Sequence, residues 1–475
     1  MKKVGLKRVL LTLLGTCMVL GCQGVFAQSA QKQIKKQLPK EVGGQAQKMS
    51  LWSTKPYTPF GLLVGAQSYY YATPNELMGS SELESRLQMT FQKRFESEHL
   101  VLGADTSFWA SWPRETSFWG HVRSLYVGYQ NVKDATVEMA LGRTMPDWGG
   151  IDNYSPIKSL FPQFWLDPYY VRSDGMIGFY GRLKEDFVDV EVLLSPFFLP
   201  NLGGPRFDYD ETGKFQSVSR WALPLYYQAT VGSAEVPLRY YLHYPQNIFS
   251  VLRRNSGAIR LSIKDFLEGY QLSGFLLNGV DPAPRLKILG RLDILDQKDF
   301  QGTVDIYPEF YRHTAYGFEF RLDRPTFRLN MESVYRIPEN NISLEPFMWR
   351  AQEWKNLISI QTKHQKPIWP EVLMGLASAV QFNAYQDPYF KIPDPSLTHF
   401  FGELAWKLHK NVQLTQGAEV SVDFDEALMR HALSVTLTQQ MNLRAGVDLM
   451  TGKDDTYWGY FRDQDRLWMG VQYAF

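Results

Sequence analysis

Cysteine is almost absent. The chain has two, Cys17 and Cys22, both within its first 22 residues. A disulfide-stapled scaffold is therefore excluded for everything that follows. An excess of one charge sign is also missing. Fifty basic and 49 acidic side chains leave a formal net charge of +1, so no nucleic acid or other polyanionic partner is implied. Beyond the N-terminal segment no run of about 18 apolar residues occurs, which excludes a membrane-spanning helix. Helical spacing of apolar residues is scarce throughout. Enzyme signatures are missing as well: there is no G-x-S-x-G, no H-E-x-x-H and no P-loop. The chain is not expected to be an enzyme, and no cofactor or metal is expected.

What is present starts with "MKKVGLKR", which is basic, and "VLLTLLGTCMVLG", an apolar run too short to cross a bilayer. "VFA" then precedes Gln28. Together they predict a secretory signal peptide over 1–27, cut after Ala27. A rival cut stays open, because "VLGC" (19–22) resembles a loose lipobox that would leave Cys22 lipidated. Residues 28–56 are polar and basic without a useful period. They predict a periplasmic leader or, alternatively, a small plug.

From there the apolar period is two. In "LESRLQMTFQKRF", Leu83, Leu87, Met89, Phe91 and Phe95 alternate with Glu84, Arg86, Gln88, Thr90, Gln92 and Arg94. "FVDVEVLLS", "TFRLNMES", "NVQLTQGAEVSVD" and "MNLRAGVDLM" repeat the pattern. Such alternation predicts strands with one apolar and one polar face. Many of these stretches have the length a tilted strand needs to cross a bilayer. Connections alternate between short ones, such as "ED" (185–186) and "QQ" (439–440), and long ones, such as 144–174 and 451–465. Aromatics are 15% of the chain and cluster near strand ends, at 68–73, 108–112 and 457–461, in the manner of interfacial girdles. A membrane protein without membrane helices has one remaining option, a closed barrel. The expected fold is all-β: a transmembrane antiparallel up-and-down β-barrel over 57–475, with an even strand number of about 18–20 and a range of about 16–22. The count depends on whether 222–243 forms its own wall hairpin and whether "TVDIYPEF" (303–310) is a strand.

The chain ends on "RLWMGVQYAF", with Leu467, Met469, Val471, Tyr473 and Phe475 on one face. A last strand that closes a barrel against the first cannot fray, and its apolar set would face lipid. "GVQYAF" resembles the C-terminal signature of bacterial outer-membrane barrels, carried here by Gly470, Tyr473 and Phe475. The resemblance implies that the barrel-insertion machinery reads this segment. "LGRTMPDWGG" (141–150) and "YPEFYRHTAYGFEFRLDRPTFRLNMESVY" (307–335) are similar to segments of large porin-like barrels of the alginate-export type and their relatives. That resemblance implies an outer-membrane channel of about 18 strands and does not identify a solute.

The best candidate site is "RTMPDWGGIDNYSPIKSLFPQFWLDPYYVRSD" (143–174), the third outside loop by this reading. Rich in aromatics and prolines, it is unlike a solvated loop. Folded inward, it would narrow the bore, with Arg143, Asp147, Trp148, Asp152, Lys158, Trp165, Asp167, Tyr169, Arg172 and Asp174 as candidate constriction or substrate residues. The alternative is an external cap packed on its own aromatics. Glu84, Arg86 and Arg94 represent the lumen wall. "DYDETG" (208–213) partly resembles a calcium loop, but Ser219 occupies the twelfth position, so an EF-hand is unsupported. His431 falls on an apolar, lipid-facing strand face with no serine partner.

These features predict a passive outer-membrane channel in the cell envelope of a Gram-negative bacterium, for small hydrophilic or amphipathic organic solutes. A FadL-like carrier of hydrophobic molecules and a surface-exposed structural or adhesive barrel are the alternatives. Expected partners are outer-membrane lipid and lipopolysaccharide, the insertion machinery and the solute. Homo-oligomerisation stays open, since no residue demonstrates a subunit contact.

Overall fold

The computed structural model describes residues 61–71, 83–97, 99–112, 117–131, 137–151, 154–165, 167, 169, 171–203, 207–209, 215–217, 228–231, 234–243, 248–264, 269–294, 300–339, 352–362, 370–382, 398–453 and 456–475. The expected signal peptide, its cut after Ala27, the 28–56 segment and most of "DYDETG" lie outside them.

Eighteen strands make up one sheet. The first nine are β1 (Leu62–Tyr71), β2 (Leu83–Glu96), β3 (Leu100–Trp112), β4 (Ser117–Gln130), β5 (Val137–Thr144), β6 (Met176–Lys184), β7 (Val188–Phe197), β8 (Ser256–Lys264) and β9 (Tyr270–Val280). The rest are β10 (Arg312–Asp323), β11 (Phe327–Pro338), β12 (Gln352–Thr362), β13 (Glu371–Phe382), β14 (Thr398–His409), β15 (Val412–Ser421), β16 (Glu426–Thr436), β17 (Met441–Gly452) and β18 (Arg466–Ala474). Each pairs antiparallel with the next. β18 pairs with β1, in a register running from Leu63↔Ala474 to Tyr71↔Arg466. The sheet is therefore a closed barrel without a free edge. The terminal Phe475 is held too: its amide donates to the Leu62 carbonyl at 2.9 Å, and its ring meets Tyr473 edge to face at 4.8 Å.

The two faces of each strand have different surroundings. In β8, Ser256, Ala258, Arg260 and Ser262 are buried inside, whereas Ile259, Leu261 and Ile263 point out and stay exposed. In β18, Leu467 and Met469 are 56% and 66% exposed beside buried Arg466 and Trp468. Charged side chains inside and bare aliphatic and aromatic ones outside reverse the pattern of a water-soluble protein. The outer belt is a surface for hydrocarbon.

One end of the barrel carries only brief connections: 97–99, 131–136, 185–187, 265–269, 324–326, 363–370, 410–411 and 437–440. The other end carries the long ones, including 145–175, 198–255 and 281–311, with 113–116 and 422–425 as its two short members. The 145–175 connection is the third at that end.

Two sequence expectations change. "TVDIYPEF" does belong to a strand, Phe300–Glu309, but this strand leaves the barrel. It joins Arg285–Ile294, Ala234–Leu242 and Gln228–Val231 in a separate four-stranded sheet built from the 198–255 and 281–311 connections. A two-residue period marks a two-faced strand and does not say which sheet receives it; the barrel has 18 strands, within the expected 18–20. The aromatics of 457–461 do not form an interfacial girdle. Tyr457–Tyr460 is a single helical turn capped by the Thr456 hydroxyl, and Trp458 and Phe461 are buried with inward-facing Tyr69, Tyr71, Leu428 and Trp468.

If the outer face of β8 lies in hydrocarbon, Leu261→Arg should cost about 2–4 kcal/mol, the range for a cation near the bilayer midplane. Urea unfolding of the protein in lipid vesicles measures this. Unchanged stability would show that the face is not in lipid.

Candidate functional site

The 145–175 connection departs from the barrel wall at once. Pro146 and Trp148 are buried, and the Trp148 indole donates to Glu191 of β7 at 2.8 Å. A Gly149–Gly150 pair follows. Gly149 has φ +74°, and a Cβ on Gly150 would sit 2.4 Å from the Asn330 amide nitrogen. Only glycines let the backbone pass this close to β11. The Gly150 amide donates to Glu332 of β11, as does the Ser155 hydroxyl. Arg321 of β10 donates to the Gly149 carbonyl at 2.8 Å.

The loop then reaches the opposite wall. The Tyr154 ring stacks on Phe401 of β14 with centroids 3.9 Å apart, and its hydroxyl donates to Glu419 of β15 at 2.9 Å. Burial, with the Glu419 carboxylate beside it, holds the Tyr154 phenol well above its ordinary range. A 3-10 turn, Lys158–Leu160, brings the chain back. Ile157, Leu160 and Phe161 pack with Trp148 on Leu193, Phe275 and Leu277 of the inner wall. A small hairpin follows, Gln163–Trp165 against Val171–Ser173. Leu202–Gly203, from the next connection, lies parallel to its first strand.

The tip of this hairpin carries the strongest anchor. Asp167 is 1% exposed. It accepts from Arg86 of β2 at 2.7 Å and from Arg466 of β18 at 3.2 Å. Arg86 also bonds Glu84 at 2.6 Å, and Arg466 bonds Asp448 of β17 at 2.8 Å. The Arg466 guanidinium lies over the Tyr69 and Tyr169 rings at 4.5 and 4.1 Å. Burial alone would raise the Asp167 pKa, but the Arg466 and Arg86 guanidinium groups outweigh it and hold the carboxyl down at about 2. Tyr169 donates to the Met450 sulfur at 3.0 Å and stacks near Trp458, which joins this loop to the 453–465 connection.

The base of the hairpin is tied to the β3–β5 wall. Asp174 accepts from Arg143 at 2.9 Å and lies 2.7 Å from the His121 ring nitrogen. Arg172 and Arg123 both approach Asp105, at 3.4 and 3.6 Å.

The residues singled out from sequence thus take different places. Lys158 is buried, and its ammonium donates to the Gly150 carbonyl at 2.7 Å within the loop. Asp167, Tyr169, Arg172, Asp174 and Trp148 each contact the wall, and Arg143, on β5, is the wall partner of Asp174. Trp165 is half-buried in the small hairpin, and Asp147 is exposed, near Arg321. Asp152 lies outside the described residues. On the wall, Glu84 and Arg86 meet at the Asp167 anchor, whereas Arg94 pairs with Glu96 near the short-connection end. Sequence reasoning missed Glu191, Glu332, Glu419 and Arg466, wall partners of the loop, and Asp448, which holds Arg466. Each occupies a polar position in an alternating strand. That was the available signal, but it does not say which polar positions meet the loop.

Loop side chains therefore bond or pack on inward faces right round the barrel, from β2 and β3 through β7, β11, β14 and β15 to β18. The fold is that of a porin-like transmembrane barrel. No protein-family model matches the chain, and no curated protein matches it. Among solved structures it is similar to OccAB4 of Acinetobacter baumannii, at 10% identity and TM-score 0.41 over 87% of this chain and 96% of that one. It is also similar to OccK5 (OpdH) of Pseudomonas aeruginosa, at 9% identity and TM-score 0.43 over 87% and 96%. A BenF-like porin from Pseudomonas fluorescens Pf-5 aligns at 9% identity and TM-score 0.46 over 87% and 96%.

Asp167→Asn removes the buried carboxylate that Arg86 and Arg466 share and leaves them Glu84 and Asp448 alone as anionic partners; breaking a buried pair costs about 3–5 kcal/mol. Amide hydrogen exchange over 163–173 should accelerate by a factor of 100 or more, while the wall strands stay protected. Equal protection in the variant would show that the anchor does not hold the loop. The acid response has a defined sign. A carboxyl held below its ordinary value of 3.8 stabilises the docked loop above that value and loses the contribution as pH falls toward 2. Exchange over 163–173 should be flat from neutral pH down to about 5, after correction for intrinsic rates, and rise below about 4.

Proposed function

We propose that this protein is a passive channel in a bacterial outer membrane, and that the 145–175 loop sets its bore. The observation carrying this reading is the Asp167 anchor: a loop carboxylate fixed between arginines of β2 and β18, far around the wall from its own strands β5 and β6. A barrel of this strand number is too wide for its own side chains to fill. A loop held across it is how such a tube becomes selective. The driving force is the solute gradient, so neither a cofactor nor a catalytic group is required.

The solute reading follows from the charges that stay open to the bore. Asp147 is exposed on the loop, Arg321 faces it while pairing with Glu319, and Lys355 and Arg182 lie partly open on the wall in pairs with Glu353 and Asp189. Charges of both signs with aromatic surfaces nearby suit small hydrophilic or amphipathic organic molecules better than inorganic ions. Gly470, Tyr473 and Phe475 stand in the seam strand, where recognition by the insertion machinery would precede closure.

Planar-bilayer recording of the purified protein tests the reading. Wild type should carry a steady current of small unit conductance. Asp167→Asn should raise the mean conductance severalfold or turn it into flicker. A folded barrel that stays silent in both forms would overturn the channel and favour a carrier or a blocked structural barrel. Heat-modifiable gel migration establishes folding in each case.

A further inference from the structure

The outer wall is not uniformly apolar. Over β6–β9 the outward positions at mid-strand are Phe179, Gly181, Val190, Val192, Ile259, Leu261, Leu272, Gly274 and Leu276, none with a polar side chain. Over β15 and β16 the pattern breaks. Gln416 and His431 are direct cross-strand partners. They share the outward face with Leu414, Ala418, Met429 and Leu433, opposite inward-facing Thr415, Glu419, Arg430 and Ala432. Each stands near the middle of its strand, so both lie deep in the hydrocarbon belt and away from the headgroups. Among the described residues, neither side chain makes a hydrogen bond.

An amide and an imidazole left unpaired in hydrocarbon are costly. Water does not reach them from the lumen, because they point the other way. A catalytic role is not supported, since the neighbouring outward positions of β15–β17 (Leu414, Ala418, Ala445 and Leu449) supply no nucleophile. The surrounding surface is instead low. Ala418 pairs with Gly402 on β14, also outward, and a Cβ on Gly402 would meet nothing closer than 3.7 Å. Small residues beside polar ones let two membrane surfaces approach closely and exchange hydrogen bonds. Two strands further round, a second outward polar row, Ser333–Asn356–Ser378, runs across β11–β13.

We propose that the outer wall over β14–β16, centred on Gln416 and His431, is the face by which two copies of this chain associate in the membrane. The occupant is a second copy because the pair is self-complementary. A glutamine amide and a neutral imidazole each carry a donor and an acceptor, so a two-fold axis beside them sets Gln416 of one barrel against His431 of the other. Both groups are then satisfied without water, and Gly402 and Ala418 admit the facing wall.

Site-specific cross-linking of the full-length protein in native outer membranes tests this. Ala418→Cys should give a covalent dimer on mild oxidation, and mass spectrometry should identify both halves as this chain. Ile259→Cys, on the uniformly apolar wall, should not, with the unsubstituted chain as baseline. Adding Gln416→Leu and His431→Leu should lower the Ala418→Cys dimer yield severalfold. These leucines make the wall more apolar, and heat-modifiable migration checks that it still folds. No dimer at Ala418→Cys, an equal yield at Ile259→Cys, a yield unaffected by the leucines, or an adduct with a different protein would each overturn the proposal. The single Ala418→Cys comparison remains decisive even if the leucine variant fails to fold.

Discussion

The structure depends on pairing every backbone N–H and C=O of its wall within the sheet. In hydrocarbon an unsatisfied peptide group costs several kcal/mol, so an open edge of about ten residues is not sustainable. β18 must therefore meet β1, and the register between them carries the whole sheet. This explains why the chain stays ordered to its last residue, with the Phe475 amide bonded to Leu62. It also explains the alternating sequence. Once the backbone is satisfied internally, only side chains distinguish lipid from lumen, and a period of two assigns them.

Closure at 18 strands creates the next problem. The interior is too wide for wall side chains to meet across it, and polar groups there are paired with water, with each other or with an inserted segment. The 145–175 loop takes the third course. Ordering a segment costs about 1–2 kcal/mol per residue in backbone entropy, so one contact does not hold it. It is fixed at separate places: Trp148 and Phe161 on the β7–β11 wall, Tyr154 on β14 and β15, Asp167 between β2 and β18, and Asp174 on β4 and β5. The apolar contacts supply most of the attraction. The ion pairs determine where the loop sits, since a carboxylate buried without its arginines is far costlier than a displaced leucine. Fixed in this way, the loop is part of the wall rather than a mobile flap.

Much of the fold was legible because it repeats. Alternation in β2, β7, β11, β15 and β17 was visible in the residues themselves, as were the short connections between them and the third outside loop. Two kinds of information were not. A period of two could not tell the strand Phe300–Glu309, which joins an outlying sheet, from the wall strand Arg312–Asp323 a few residues later. Nor could proximity to a strand end tell a girdle aromatic from Trp458, which turns inward with its helical turn. At the site, the loop's charged and aromatic residues were recognisable by type, but their partners were not. Asp167 and Arg466 are 299 positions apart, and only strand register and barrel closure bring them together.

That separation bears on the proposed channel. A charge held in a buried pair is neutralised by its partner and has little field left for a passing solute. Lys158, Asp167 and Asp174, conspicuous in the sequence, serve position. The charges that the proposed reading sets against a solute are those at the loop surface, such as exposed Asp147 and, across from it, Arg321, which pairs with Glu319. The two sets are coupled, since Arg321 also donates to the Gly149 carbonyl, only two residues from Asp147. A substitution that shifts an anchor therefore shifts Asp147 and its surroundings as well. Screened Coulomb interactions change steeply over a few ångströms in a narrow, partly dehydrated passage. If the proposed channel is selective, its selectivity is accordingly a property of the docked loop as a rigid body rather than of any one side chain along the bore.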